Sequence, residues 1–510
     1  METTYIVLIA LAIIYVPIFL YVKFNKKMEE KGLLPYGPCV MIRTKFGLRA
    51  IDRLGRYKRF WHVCGYASRI ITIILMAYIV IIIMIDLAVL PMAIGRGGIG
   101  IEYALAIPGL NPMLPIVYGW IGLIIAMVMH ELSHGIQSRA NDIPVDHTGL
   151  LYAVVPVGAF VEPNEDEIQK ASRGARMDLY AAGITMNFII AVITFVLMFS
   201  MASCALTSDY EDSPAIYGYT TNSPMMEYNI PTTSVITGLD GTAITTADEF
   251  VDYIDARGFG AYDLRYVYKG TERTVSGVKL GTYINTVVKD SPAFDYGLES
   301  GDYIMEIDGR TVGTPWSMSE ILSTIDAGTA VTLKYYDSSE SAERTIDGFV
   351  LGDNNGKGYI GISTTISGMS ITTPGIVMST GIEPYYGCST VGDFGSATIS
   401  YLAKAFNGFS PVPESTHWWY HSSFISDDVT WVIILLLYWI FWLNIVLAVT
   451  NALPAVPFDG GFLFAGGMDY IAEKFIRDEK KREDIVNRIC TAMTYFMIFA
   501  LIIVLIVIIV

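Results

Sequence analysis

Two histidines and a glutamate stand inside an apolar stretch, IAMVMHELSHGI at residues 125–136. His130 and His134 are four residues apart, so on a helix both imidazoles project from one face and reach a single divalent cation. Glu131 sits beside the first of them, where a carboxylate polarises a water at such an ion and shuttles its proton. Three ionisable groups in an apolar helix are costly unless paired or functional, and a cation supplies the missing partner. The chain has six histidines, too few for HExxH to arise readily from composition. The bland alternative is a helix end at which all three side chains face water.

A catalytic zinc takes three protein ligands and keeps a fourth position for water, so a third ligand must come from elsewhere. Asp142, Asp146 and His147 are the local candidates. A better one lies in TNALPAVPFDGG at residues 450–461, where an apolar run ends in Pro454, Pro457 and a glycine pair around one carboxylate, Asp459. The prolines interrupt the helix and free backbone groups that only a protein interior or a watery cavity satisfies.

The elements that must position these residues are membrane spans. Hydrophobic residues make up 53% of the 510, charged residues only 16%, and the mean hydropathy is +0.45, well beyond a typical soluble protein. Runs long enough to cross a bilayer occupy residues 5–22, 70–90, 115–138, 179–205, 431–450 and 489–510. The expected fold is therefore a polytopic α-helical membrane protein of about six transmembrane helices, with a large soluble insert. The first run is followed by the basic KFNKK and no small-residue cleavage site, so it reads as a retained anchor. Cys39, Cys64, Cys204, Cys388 and Cys490 form no CxxC pair, which argues against a disulfide framework and a thiolate zinc site.

Residues 23–69 carry 12 Lys/Arg against 3 Asp/Glu, so that loop is expected in the cytoplasm. Alternating the spans makes 137–176 cytoplasmic, 207–428 external and the EKFIRDEKKRED stretch cytoplasmic, with both termini outside. His134 and Asp459 then approach the same cytoplasmic face. The external segment has 29 Asp/Glu and 11 Lys/Arg, net −18 against −16 for the whole chain, and this acidity argues against nucleic-acid binding.

The insert is rich in Gly, Ser, Thr and Asp, with alternating strand patterns. DSPAFDYGLESGDYIMEIDGRTV, residues 290–312, followed by a helical PWSMSEILSTI and a strand AVTLKYY, resembles a PDZ domain. Residues 222–254 resemble a degenerate copy, and GKGYIGIS at 356–363 resembles a closing strand. The expected division is 1–206, a membrane region with four spans, the basic loop and HExxH; 207–280, a degenerate PDZ-like domain; 281–370, a PDZ-like domain; 371–428, an external linker; and 429–510, a membrane region with two spans. PDZ domains bind peptides by strand addition, while spacers that bind nothing would carry the same pattern.

HExxH in one span, combined with Asn451, Pro454, Pro457, Asp459 and Gly460 in the pattern NxxPxxPxDG, resembles the site-2 protease family of intramembrane zinc metalloproteases. PVGAFVEP at 156–163 resembles the family's membrane-embedded β segment. AGITMN at 182–187 resembles its AGPxxN segment, with Ile184 in place of proline, and residues 41–54 resemble archaeal members. The resemblance implies that His130, His134 and Asp459 bind one catalytic Zn2+, that Glu131 activates water, and that Asn451 orients substrate or stabilises charge.

The expected function is intramembrane proteolysis of transmembrane protein or peptide substrates in the cell membrane, with the insert external and the active site toward the cytoplasm. The apolar run LLYAVVPVGAF at 150–160 would hold an unwound substrate by edge pairing, and the PDZ-like pair would filter substrates by size or bind a peptide. The alternative is a non-proteolytic adaptor with a structural or empty metal site. His417 and His421, in HWWYH, are also four apart but lack the glutamate; they read as part of an aromatic belt at the external membrane interface. His62 and His147 read as loop or interface residues, and Asn444 as a buried hydrogen-bonding group.

Overall fold

The computed structural model describes residues 2–93, 108, 111, 114–153, 156–382, 384–385, 388–407 and 410–509. It divides into two units, one formed by Met1–Met201, Ser400–Pro411 and Val432–Val510, the other by Ala202–Ile399 and Val412–Trp431.

The first unit is built on long apolar helices. Helix α1, Glu2–Phe24, leads through strands β1, Leu33–Tyr36, and β2, Cys39–Thr44, to α2, Leu48–Gly55, and α3, Lys58–Ala93. Helix α4, Ile116–Ala140, carries HExxH and is followed by β3, Val145–Tyr152, β4, Pro156–Pro163, and α5, Arg173–Ala205. Beyond the insert come α6, Asp427–Asn451, α7, Asp459–Glu473, and α8, Glu479–Ile509. Among the described residues, five helices (α3, α4, α5, α6 and α8) are long and apolar enough to cross a membrane. The expected run at 5–22 lies within α1, whose side chains are described only from Ile13. Residues such as Ile73 and Ile74 point their apolar side chains outward, as lipid-facing helices require.

Strands β1 to β4 form an antiparallel sheet in sequence order, which leaves β4 at an edge. Helix α4 stops where Asp142 adopts a left-handed φ of 63° and the Ile143 N–H donates to the Ser138 carbonyl at 2.9 Å. The chain then turns directly into β3. Val154 and Val155, within the expected strand-like run, lie outside the described residues. Helix α2 lies against α4, with Ile51 buried at Gly135 and an Arg139–Asp52 ion pair at 2.6 Å.

Ile184, at the position where the resembled pattern has proline, is fully buried with Leu75, Ala448 and Ala452, and α5 runs through it unbroken. Between α6 and α7 the chain folds back tightly, with a cis Val456–Pro457 peptide. A Cβ on Gly460 would lie 2.3 Å from the Ala452 carbonyl oxygen, and one on Gly461 2.6 Å from the Ala455 carbonyl carbon. The glycine pair is thus what lets α7 begin at Asp459, beside the end of α6.

The second unit holds two hydrophobic cores along one twelve-stranded sheet. Each half repeats a strand, an Asp-Gly hairpin, a capped helix and a longer hairpin. In the first, Asp240 and Gly241 (φ 48° and 82°) join Val235–Leu239 to Thr242–Ala243, and Thr246 caps helix Ala247–Arg257. In the second, Asp308 and Gly309 (φ 48° and 72°) join Tyr303–Ile307 to Arg310–Thr311, and Thr314 caps Pro315–Ser323. Two positive-φ residues are what a two-residue hairpin demands, which explains the Asp-Gly pairs. The first core includes Phe250, Tyr262 and Leu264, the second Ile304, Leu333 and Phe349.

Strand Met369–Thr372 pairs with Ala215–Tyr219 and completes the first core, so the sequence boundary at 370 falls inside a strand. The stretch read as a linker contains helices Pro374–Ile382 and Val391–Asn407. The HWWYH segment is also more embedded than expected. Trp419 is fully buried and donates from its indole N–H to the Thr233 carbonyl at 2.8 Å, while the Tyr420 hydroxyl donates to the Pro374 carbonyl at 2.8 Å. These rings pack into the insert, where their polar atoms find backbone partners.

Candidate metal centre

The end of α4 and the start of α7 meet beside the middle of α5. His130 and His134 are buried on one face of α4, and Asp459 is the first residue of α7. The Nε2 atoms of the two histidines are 3.1 Å apart, and each is 3.1 Å from Oδ2 of Asp459. Among the described residues these three form the one group of His, Cys, Asp and Glu side chains whose ligating atoms converge closely enough for a metal ion.

The protonation pattern follows from the neighbours. Nδ1 of His134 lies 2.7 Å from the Leu179 carbonyl, which can only accept, so that nitrogen carries the hydrogen and neutral His134 presents a lone pair at Nε2. That lone pair faces a carboxylate oxygen and a second imidazole nitrogen. With the imidazoles neutral and the carboxyl ionised, three acceptors converge at 3.1 Å and suit a shared cation.

A zinc ion fits this donor set. An equilateral triangle of 3.1 Å sides has its corners about 1.8 Å from its centre, close to the roughly 2.0–2.1 Å that zinc takes to histidine nitrogen and carboxylate oxygen, so His130, His134 and Asp459 would hold such an ion. The space is kept by Gly183 of α5, where a Cβ would lie 2.5 Å from Nε2 of His134 and 2.7 Å from Nε2 of His130. Nδ1 of His130 is buried with no hydrogen-bond partner among the described residues.

Glu131 is half-buried on the next position of α4, and its Oε2 accepts a hydrogen bond from the Val161 N–H of β4 at 2.9 Å. The edge strand and the carboxylate beside the first histidine are therefore in direct contact. Asn451 is half-buried at the last position of α6.

The chain belongs to peptidase family M50. Residues 118–500 match the family model, a segment that takes in HExxH, the insert and Asp459. This is the site-2 protease family whose pattern the sequence carries. A protein of Methanocaldococcus jannaschii described as uncharacterized is 31% identical over 201 residues, 39% of this chain and 52% of that protein. The M50 chain thus matches about half the length of that relative. Two solved PDZ domains of SdrC-like proteins also match. The one from Listeria innocua is 30% identical over 16% of this chain and 92% of that domain, and the one from Listeria monocytogenes 27% identical over 18% and 93%; both have a TM-score of 0.15.

Within the M50 chain the local candidates for a third ligand are occupied elsewhere. Asp142 pairs with Lys58, Asp146 accepts from the Asn164 amide at 3.1 Å, and His147 lies 3.3 Å from Glu162. Asn444 is fully buried and donates to the Ile440 carbonyl at 2.8 Å. Sequence reasoning passed over three contributors: the Leu179 carbonyl, the Val161 amide and the empty space at Gly183. The first two are backbone groups with no side-chain signature. Gly183 stood in the recognised AGITMN segment, but its partner could not be read there.

Proposed function

We propose that the chain is an intramembrane zinc metalloendopeptidase that hydrolyses peptide bonds within or near transmembrane segments of membrane proteins. The observation that carries this reading is the triangle of His130, His134 and Asp459 with Glu131 adjoining it, the two histidines and Glu131 standing on a helix apolar enough to span a bilayer.

His130, His134 and Asp459 hold the zinc, which when bound supplies Lewis-acid chemistry to water and to the scissile carbonyl. Glu131 takes the proton from the attacking water and returns it to the leaving amide nitrogen. A substrate helix hides its carbonyls in i to i−4 bonds and must unwind before attack. The exposed edge of β4 offers the unwound segment main-chain partners next to Glu131, and Asn451 orients it. The PDZ-like halves of the insert act as a size filter or peptide-binding module on the external side, and the metal centre opens toward the cytoplasm, as the Lys/Arg distribution indicates. Three ligands count against a purely structural site, which is normally closed by four.

The test is cleavage of a helix-destabilised membrane substrate by detergent-purified protein. Wild type should cleave it and Glu131→Gln should not; equal cleavage by the two would overturn the assignment.

A further inference from the structure

Helix α7 is laid antiparallel along the first half of α5, and its contacts form a ladder. Asp459 meets the histidines in front of Gly183. The Phe462 ring stacks on Tyr180, with centroids 4.6 Å apart and planes 15° apart. Gly466 meets Met177, whose Cγ would lie 2.8 Å from a Cβ at that glycine. Asp469 pairs with Arg173 at 2.8 Å. Steps of three, four and three residues forward along α7 are matched by steps of three, three and four back along α5, so one helix register sets all four contacts.

The far end of this ladder is locked by charge. Asp469 presents Oδ2 to Nε of Arg173 on α5 and Oδ1 to Nε of Arg482 on α8, both at 2.8 Å, and Arg173 also reaches Glu473 at 2.8 Å. The side chains of Arg173, Asp469 and Arg482 are only 23%, 22% and 15% exposed, so solvent screens these pairs less than surface ones. Both oxygens of one carboxylate are thus gripped by guanidinium groups from two different helices.

We infer that α7 acts as a lever in which Asp469, held by Arg173 and Arg482, sets the position of Asp459 and so the affinity of the centre for zinc. Ten residues of helix separate the two aspartates, about 15 Å of rigid rod. The chain before Asp459 is a non-helical turn. A small slide or rotation of α7 at Asp469 arrives undiminished at Asp459, where the ligand triangle tolerates little. The coupling is reciprocal: zinc at one end steadies the ion pairs at the other. Asp469 is a positioning residue, and this role rests on the zinc-site reading above.

The experiment measures zinc affinity of the detergent-purified full chain by competition with a chromogenic chelator, with the cobalt absorption spectrum as a report on ligand geometry. Asp469→Asn should raise the zinc Kd about tenfold, at the low end of what outer-shell partners of metal sites contribute, and alter the cobalt bands; Asp469→Glu should restore both in part. Arg482→Gln, which leaves the Arg173 pair intact, should give a smaller loss and serves if Asp469→Asn does not fold. Asp484→Asn removes an exposed pair with Arg488 on α8 and should change neither readout. Wild-type affinity and spectrum in a folded Asp469→Asn, or an equal loss in Asp484→Asn, would overturn the lever. Failure of wild type itself to bind zinc would instead overturn the metal centre, and the lever with it.

Discussion

Gly183 faces His134 so closely that a Cβ on the glycine would lie 2.5 Å from Nε2 of the imidazole. The missing side chain is the floor of the metal centre: α5 can pass directly behind both histidines only because nothing projects from it there. Gly183→Ala adds one methyl group to a packed site, a change that costs about 1–3 kcal/mol in well-filled interiors. Falling on the ligands, that corresponds to roughly 5- to 150-fold in zinc affinity. Chelator competition should show this loss while the insert melts as in wild type; unchanged affinity would mean the histidines do not depend on that space.

Glu131 touches the edge strand through the Val161 N–H and adjoins His130 without being part of the ligand triangle. Glu131→Gln should therefore keep one zinc per chain while lowering cleavage by about 100- to 10,000-fold, the usual worth of a positioned proton-transfer group. Zinc loss in this variant would instead make Glu131 a ligand.

Removal of the metal should be felt as stability. A ligand present at a hundred times its Kd stabilises the form that binds it by about 2.7 kcal/mol. Zinc should accordingly raise the melting temperature of chelator-treated wild type and leave Asp459→Ala and His130→Ala unmoved. A shift of equal size in those variants would place the ion elsewhere.

In the insert, Asp255 joins the two halves: Oδ1 accepts from the Ser317 hydroxyl at 2.6 Å and Oδ2 from the Thr314 hydroxyl at 3.0 Å. Gly313 allows this approach, since a Cβ there would lie 2.3 Å from the Ile254 carbonyl oxygen. Asp255→Ala leaves the Thr314 hydroxyl without its acceptor and Ser317 with only the Thr314 carbonyl at 3.0 Å, and should destabilise the insert by about 1–3 kcal/mol, measured by denaturant unfolding. No change would show that the halves are held by their cores alone.

His417 is stacked on Trp431 at 3.7 Å and 2°, and burial pushes its imidazole below the ordinary 6.5. A base whose folded-state pKa is depressed leaves stability intact above the unfolded value and erodes it as pH falls through that value, because the unfolded chain takes up the proton first. Thermal melts should thus lose stability from about pH 6.5 downward, and His417→Gln should flatten that slope. An unchanged slope would assign the acid sensitivity to other groups.

The chemistry of this protein was legible because it sits in side chains whose spacing is a local property. A spacing of four from His130 to His134 puts them on one helical face whatever surrounds them. Pro454, Pro457 and the glycine pair announced a broken helix at Asp459 for equally local reasons. In the aromatic HWWYH segment, only long-range packing brings Trp419 and Tyr420 to their buried backbone acceptors, the Thr233 and Pro374 carbonyls, so these partners could not be read from the segment. The closure of the first core by Met369–Thr372 was hidden for the same reason, since strand pairing joins residues more than a hundred positions apart.

By itself, the sequence determined the candidate ligand types, the carboxylate beside the first histidine and the apolar span that carries both histidines. Tertiary structure alone decided that Leu179 orients His134, that Gly183 makes room for both imidazoles, and that α7 lies in register along α5 with Asp469 at its far end. Those relations depend on backbone carbonyls, on absent atoms and on the packing of helices distant in the chain, and none of these leaves a mark in the identity of one residue read beside its neighbours.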